Sequence, residues 1–300
     1  MITEGPIFDR VEAVIGECSI YRHYCAGELS PQEFAAFLDS TRAELVAGGV
    51  PDEDVDYAKR YPADRDKFLR DTLNTLREQG VIAAAEIDPQ QLVAARTRLA
   101  RWDHGDRTTY IYPEEADILA ALAILQRPRH VIFLGAYYGY WAGAILPALA
   151  ESGGRAVLID PDPDCCMLAI NNLTHEIDQG LVEVISTTGE AFVSRPGPDF
   201  DMVVIDAEVS RDHPDPGLRG KGVYASLFTA VLPRLNKDAL VVCHNILLDD
   251  HTGAPALASA LERNHRELAA FEALVHANLC GWTRIPSTEG VGVGRRDAQP

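Results

Sequence analysis

The chain has 300 residues, and its 27 Lys and Arg against 45 Asp and Glu leave a formal charge of −18. A balance that acidic excludes a general nucleic-acid binder, whose phosphate contacts need a basic surface. With 47% hydrophobic residues and no apolar run near the roughly 18 residues of a membrane span, the composition predicts a globular cytoplasmic chain with no membrane partner.

The start, MITEGPIFDRVEAV, has acids where a signal peptide carries positive charge. The six cysteines show no Cys-x-x-Cys metal spacing and are expected to be reduced packing residues. Residues 1–108 read as a helical cap or dimerisation region, with every legible segment up to about 105 helical. Ser30-Pro31-Gln32-Glu33 is a capping box with Pro at the first helical position, and Phe34, Phe37, Leu38, Thr41 and Leu45 follow on one face. Asp64 opens a segment with Leu69, Leu73 and Leu76 on one stripe and Gly80 at its end. Asp88-Pro89-Gln90-Gln91 repeats the start signal.

Residues 109–300 change texture to β-rich runs alternating with helix-length segments. The runs are His130–Leu134, Arg155–Asp160, Val182–Ser186, Asp201–Asp206 and Ala239–His244. Strands alternating with helices predict an α/β fold, a parallel sheet covered by helices on both faces. Trp282–Ile285 and Val291–Gly294 flank a turn at Ser287–Gly290 and predict a closing hairpin.

The first run leads through Gly135-Ala-Tyr137-Tyr138-Gly139-Tyr140-Trp141 into a helix, the place where an open α/β sheet binds nucleotide-like ligands. Tyr137 and Tyr140 stand where a dinucleotide fingerprint needs glycine, and no Gly-Lys-Ser/Thr follows, so NAD, FAD and a phosphate loop are disfavoured. Asp160 ends the second run, where a carboxylate can accept from both ribose hydroxyls. Together these predict an adenosine-containing ligand without a pyrophosphate.

These residues resemble the class I S-adenosylmethionine (SAM) dependent methyltransferases, and within them the catechol and caffeoyl-CoA type of O-methyltransferase. The resemblance covers roughly residues 110–296. It rests on Tyr112-Pro113-Glu114-Glu115, the Gly135–Tyr140 loop, Gly154–Asp160, Gly189-Glu190-Ala191, Phe200–Ala207 and Asn245, in that order. It implies a Rossmann-like, doubly wound seven-stranded sheet with an antiparallel last strand, SAM as cofactor, and a homodimer. It also implies that Gly135 and Gly139 allow SAM to approach, that Asp160 holds the ribose, and that Gly189, Glu190 and Ala191 border the adenine. Tyr137, Tyr140 and Asp206 complete the expected cofactor contacts. Aromatic faces attract cations, so some of Tyr137, Tyr138, Tyr140 and Trp141 are candidates to shape the site of the sulfonium.

The departures bear on chemistry. Phe133 stands where the family usually has an acid. The metal-dependent members bind a divalent cation at positions matching Asp206, His244 and Asn245, which are also the candidate catalytic residues. A histidine there turns an all-oxygen site toward softer metals or removes it. Three readings of His244 stay open: metal ligand, general base or substrate contact, and a histidine hydrogen-bonded at a strand end. The family's catalytic lysine corresponds to Val209, so a catechol-like acceptor requires Lys221 or Arg219 to reach in from the segment 210–222. That segment reads as a loop over the strand ends, in which His213 is a further candidate.

Asp162 is expected to cap the next helix or lie near the ribose. Trp102-Asp103-His104 and Asp249-Asp250-His251 each pair acid with imidazole and read first as solvated loops. The leading functional expectation is O- or N-methyl transfer to a small molecule. The second is attack on SAM's aminocarboxypropyl chain, with SAM alone closing to azetidine-2-carboxylate and releasing methylthioadenosine. The third is a non-catalytic SAM-binding regulator, and a nicotinamide oxidoreductase comes last.

Overall fold

The computed structural model describes residues 5–250 and 252–296. The first half carries α1 Ile7–Ile15, α2 Ser19–Cys25, α3 Pro31–Ala47, α4 Asp54–Ala58, α5 Arg65–Glu78 and α6 Pro89–Leu99. Three of these begin at the capping signals. Ser30 Oγ accepts from Glu33 N at 3.3 Å while Glu33 Oε2 accepts from Ser30 N at 2.8 Å. Asp64 and Asp88 each accept a backbone N–H of the first helical turn. The expectation that this half is wholly helical needs one correction. Gly5–Pro6 (β1) pairs in parallel with Thr108–Thr109 (β2). A strand that short has no alternation to read.

The remaining helices are α7 Pro113–Gln126, α8 Tyr140–Gly143, α9 Leu146–Ser152, α10 Pro163–Asn172, α11 Thr174–Asp178, α12 Gly189–Val193, α13 Val223–Val231 and α14 Pro255–Asn278. The strands β3 His130–Leu134, β4 Arg155–Asp160 and β5 Val182–Ser186 have the bounds read from the sequence. Two others are shifted, to β6 Phe200–Ile205 and β7 Leu235–Cys243. Asp206 and His244 therefore stand just past strand ends. With β8 Leu279–Ile285 and β9 Val291–Arg296, the sheet order is β5-β4-β3-β6-β7-β9-β8. β9 runs antiparallel to both its neighbours, and the first five strands are parallel.

The central strands β3 and β6 and the second half of β7 are apolar on both faces, as a sheet covered on each side requires. Val131, Phe133, Met202, Val204, Leu240 and Val242 point to the layer of α5, α6, α7 and α9. The alternate residues Ile132, Leu134, Val203, Ile205, Val241 and Cys243 point to the layer of α13 and α14. Apolar contacts do not follow the expected division at residue 108. Leu69, Leu73, Leu76, Leu92, Leu99 and Trp102 share the first core with the sheet. Only the earlier helices form a core of their own, around Phe8, Tyr24, Phe34 and Leu38, and Tyr112 joins it.

Helix α7 lies between these layers, and all its residues from Glu114 to Ala123 are buried. Its acids are therefore partnered. Asp117 accepts from Arg65 of α5 and from Arg96 of α6, with Arg96 Nη2 at 2.6 Å from Oδ2. No described helix is long and apolar enough to cross a membrane.

Candidate active site

A cleft of about 600 Å³ opens beyond the carboxyl ends of the parallel strands, lined on one side by Asp160, Gly189 and Glu190 and on the other by Asp206, Lys221 and Asn245. The short strand pair sets Thr108–Ile111 against it as a further wall.

Asp160 is buried at the end of β4. Its two oxygens accept from Tyr137 N at 2.7 Å and Asp162 N at 3.0 Å, which leaves lone pairs for hydroxyls of a ligand. Burial nonetheless raises its pKa from the usual carboxylate value. Tyr137 adopts a left-handed φ of 51°, and its ring is 39% exposed on the cleft wall. Gly135 also has a positive φ, 80°. A Cβ there would meet Asp206 O at 2.4 Å and Ala207 Cα at 2.6 Å. The glycine thus lets the end of β6 pack close, and it lines the cleft as well.

Gly189 lies under Leu227 and Leu134, whose side chains a Cβ would strike. Glu190 Oε1 accepts from Ser226 Oγ at 2.8 Å, tying α12 to α13. Asp162 caps α10 by accepting from Asp164 N and Cys165 N.

Gly139, Tyr140 and Ala191 are not on the cleft wall. Gly139 is the left-handed N-cap of α8, facing Leu158 and Ala169. Ala191 donates its N–H to Thr188 in the cap of α12. The Tyr140 ring packs edge-on against Trp102 at 6.0 Å and lies 5.1 Å from His104. Tyr138 is buried with its hydroxyl 2.7 Å from His104 Nδ1. Trp141 donates to Glu115 O and sits 5.1 Å from the His244 ring. Of the four loop aromatics, Tyr137 alone lines the cleft. Tyr110, unmarked in the sequence, lines it too.

At the other end, His244 is buried among acids. Its Nε2 lies 2.9 Å from Glu115 Oε2, and its Nδ1 lies 3.0 Å from Asn245 Oδ1 and 3.4 Å from Asp206 Oδ1. Burial opposes its charge, but Glu115 and Asp206 outweigh burial and push the imidazole up to about 10. A protonated imidazole donates from both nitrogens and has no lone pair for a metal or a substrate proton. Both ring nitrogens already face protein oxygens, and these contacts favour the third reading of His244, a histidine hydrogen-bonded at a strand end. For Asp206, His244 and Lys221 overcome burial and hold the carboxyl below its usual range.

Lys221 does reach in. Its Nζ is 2.9 Å from Asn245 Oδ1, 3.6 Å from Asp206 Oδ1 and 3.9 Å from Glu208 Oε2. Val209 and Gly220 form an isolated antiparallel bridge that closes the base of the loop. The residue after Gly220 is thereby returned to the position beside Val209. Arg219 instead donates to His213 O at 2.7 Å, while His213 itself lines the cleft. With the Lys221 ammonium among these oxygens and both His244 nitrogens facing protein oxygens, Asp206, His244 and Asn245 leave no open place for a divalent metal. Among the described residues there is no cluster of three or more His, Cys, Asp or Glu able to hold one.

Two acids behind the site carry no sequence signal of their role. Asn245 Nδ2 donates to Glu289 Oε2 at 3.2 Å, and Glu115 Oε1 accepts from Ser287 Oγ and Glu289 N. Burial, then Glu115, pushes Glu289 up to about 8 and also raises Glu114. Glu289 comes from the β8–β9 turn and has no local pattern around it. Glu114 and Glu115 stood in the sequence only as part of the Tyr112–Glu115 block of the resemblance, with no role attached. The Asp-His pairs found no site: His104 serves Tyr138, Asp250 accepts from Arg60 at 3.2 Å, and His251 lies outside the described residues.

No curated protein matches the chain in sequence. Residues 132–246 match the family model of a methyltransferase domain. Among solved structures, the chain is similar to an S-adenosylhomocysteine-bound methyltransferase from Podospora anserina, with a TM-score of 0.52 and 16% identity over 71% of this chain and 89% of that one. It is similar to a proposed caffeoyl-CoA O-methyltransferase from Staphylococcus aureus, with a TM-score of 0.50 and 12% identity over 76% of this chain and 98% of that one. A Corynebacterium glutamicum protein gives a TM-score of 0.50 and 17% identity over 77% and 98%. The strand order, the cleft at the strand ends and these structural neighbours lead to one conclusion: the chain has the fold of the class I SAM-dependent methyltransferases, and its residues 132–246 are similar to a methyltransferase domain.

Proposed function

We propose that the cleft binds SAM and that the protein transfers its methyl group to an oxygen of a small molecule. The observation that carries this reading is one cleft with a ribose-type carboxylate, Asp160, at one end and a tethered ammonium, Lys221, at the other. The lining acids Asp160, Asp162, Glu190, Asp206 and Glu208 suit a cationic ligand. SAM supplies a methyl group on a sulfonium. In this reading Asp160 accepts from the ribose hydroxyls, Gly189 and Glu190 border the adenine, and Gly135, Tyr137 and Asp206 flank the rest. Gly139, Tyr140 and Ala191 act from behind the wall, by shaping the loops.

Lys221 then holds the acceptor as an oxyanion, its proton given up to solvent, in line with the methyl group; the C–O bond forms as the C–S bond breaks and S-adenosylhomocysteine leaves, and proximity and orientation do most of the work. Asp206 and Asn245 orient the ammonium, and His244 favours the ionised form of Asp206 and holds Glu115 in place. The aminocarboxypropyl reading drew on an aromatic box, and three of its four rings pack into the core. A homodimer, carried by the family resemblance, is part of the proposal, and sedimentation velocity tests it.

Isothermal titration with SAM tests the cofactor site. Asp160→Ala is expected to weaken SAM binding roughly tenfold to a hundredfold, the worth of a hydrogen bond to a charged group at about 1.5–3 kcal/mol. Mass spectrometry with a panel of hydroxylated acceptors tests the transfer, and S-adenosylhomocysteine is the expected nucleoside. Methylthioadenosine in its place would overturn methyl transfer in favour of attack on the aminocarboxypropyl chain.

A further inference from the structure

We propose that Lys221 is the resident cation of this site, a side chain that fills an oxygen-lined cation pocket and makes the transferase independent of divalent metal. The pocket is the group of oxygens around Nζ: Asn245 Oδ1 at 2.9 Å, Tyr224 Oη at 3.4 Å, Asp206 Oδ1 at 3.6 Å and Glu208 Oε2 at 3.9 Å. Carboxylate, amide and hydroxyl oxygens converging on one point are the donor set of a hard cation. Here a covalently attached ammonium occupies that point.

The tether is built to keep it there. The backbone N–H of Lys221 donates to Glu267 Oε2 at 2.9 Å, and the preceding Gly220 is fixed by its bridge to Val209. Gly220 has a left-handed φ of 55°, which favours glycine, and a Cβ there would displace the Glu267 carboxylate that holds the Lys221 N–H. Tyr224 lies under the side chain, its ring centroid 5.3 Å from Nζ, and is itself anchored by donating to His244 O at 2.9 Å. An ammonium has three hydrogens. Asn245 takes one at 2.9 Å and Tyr224 Oη a second at 3.4 Å, while the two carboxylates lie farther off, which leaves one hydrogen for an oxygen in the cleft.

The inference concerns the same site as the proposed function but stands on geometry that does not depend on the acceptor. The experiment titrates Mn²⁺ into metal-stripped full-length protein and follows the free-ion signal by electron paramagnetic resonance, for wild type, Lys221→Ala and Lys221→Arg. Circular dichroism and thermal melts establish that each variant is folded. Wild type and Lys221→Arg are expected to leave the signal at that of protein-free buffer. Lys221→Ala, with its oxygens uncovered, is expected to bind Mn²⁺ at submillimolar concentration, and the further change Asp206→Asn is expected to abolish that binding.

Mn²⁺ binding by wild type, or a folded Lys221→Ala protein that ignores Mn²⁺, would overturn the proposal. A parallel titration with SAM keeps the two readings apart. Failure of wild type to bind SAM would sink the proposed function and leave the cation result standing.

Discussion

His244 is charged because of what surrounds it, and that ties its proton to folding. Its pKa rises from 6.5 in the free side chain to about 10 in the fold, and that of Glu289 rises from 4.5 to about 8. Both groups hold protons in the folded chain that the unfolded chain releases. Their contribution to stability is complete below the unfolded values and is lost as pH rises through about 8 and then about 10. Asp206 has the opposite sign, since its lowered pKa stabilises above its usual value and is lost as pH falls. The melting temperature is therefore expected to fall between pH 7 and pH 10, and His244→Gln is expected to flatten that slope. An equal slope in the variant would remove His244 as its cause. Sequence reasoning found His244 and left its role open, because the deciding partner, Glu115, is far away in the chain. It also noted the missing lysine at Val209. That a lysine returns to the spot depends on a two-residue bridge, which no local pattern announces.

At the scale of elements, strands were the most legible part, since buried parallel strands are short apolar runs bounded by polar turns. Helix starts were legible wherever a side chain caps them. Helix α7 was less legible. Its sequence is apolar on all sides, which says that it is buried without saying against what. The answer is α5 and α6, pinned to it through Asp117 by Arg65 and Arg96. Asp117→Ala removes both pairs at once. The arginines are only partly buried, so water re-solvates them, and the expected cost is about 1.5–3 kcal/mol, measured by urea unfolding. A loss below half a kcal/mol would mean that apolar packing alone holds the layers.

Across the whole molecule, the early helices and the closing hairpin meet behind the cleft through Arg60. Its side chain is fully buried and donates to Ser287 O at 3.1 Å, Thr288 O at 3.0 Å and Asp250 Oδ1 at 3.2 Å. Arg60→Met leaves Asp250 and three carbonyls, those of Asp249, Ser287 and Thr288, without this partner. A cost of about 3–5 kcal/mol is expected, as when a buried ion pair loses one member. Faster deuterium exchange at residues 286–290 should accompany it, because that turn carries Glu289. Exchange unchanged in that turn would show that Glu115 and the sheet hold it unaided. The helical half thus supports the site from behind, a role that composition and periodicity could not reveal.

The bridge between Val209 and Gly220 has a consequence for how such a cleft diversifies. It works like a hem: residues 210–219 hang from a closed base, and Lys221 lies on the fixed side of the seam. Closing a loop costs little more as the loop grows, about 0.6 kcal/mol for each doubling of its length. Residues 210–219 can therefore be exchanged or extended as a cassette, changing which molecules the mouth admits, while the ammonium stays where the strand ends hold it.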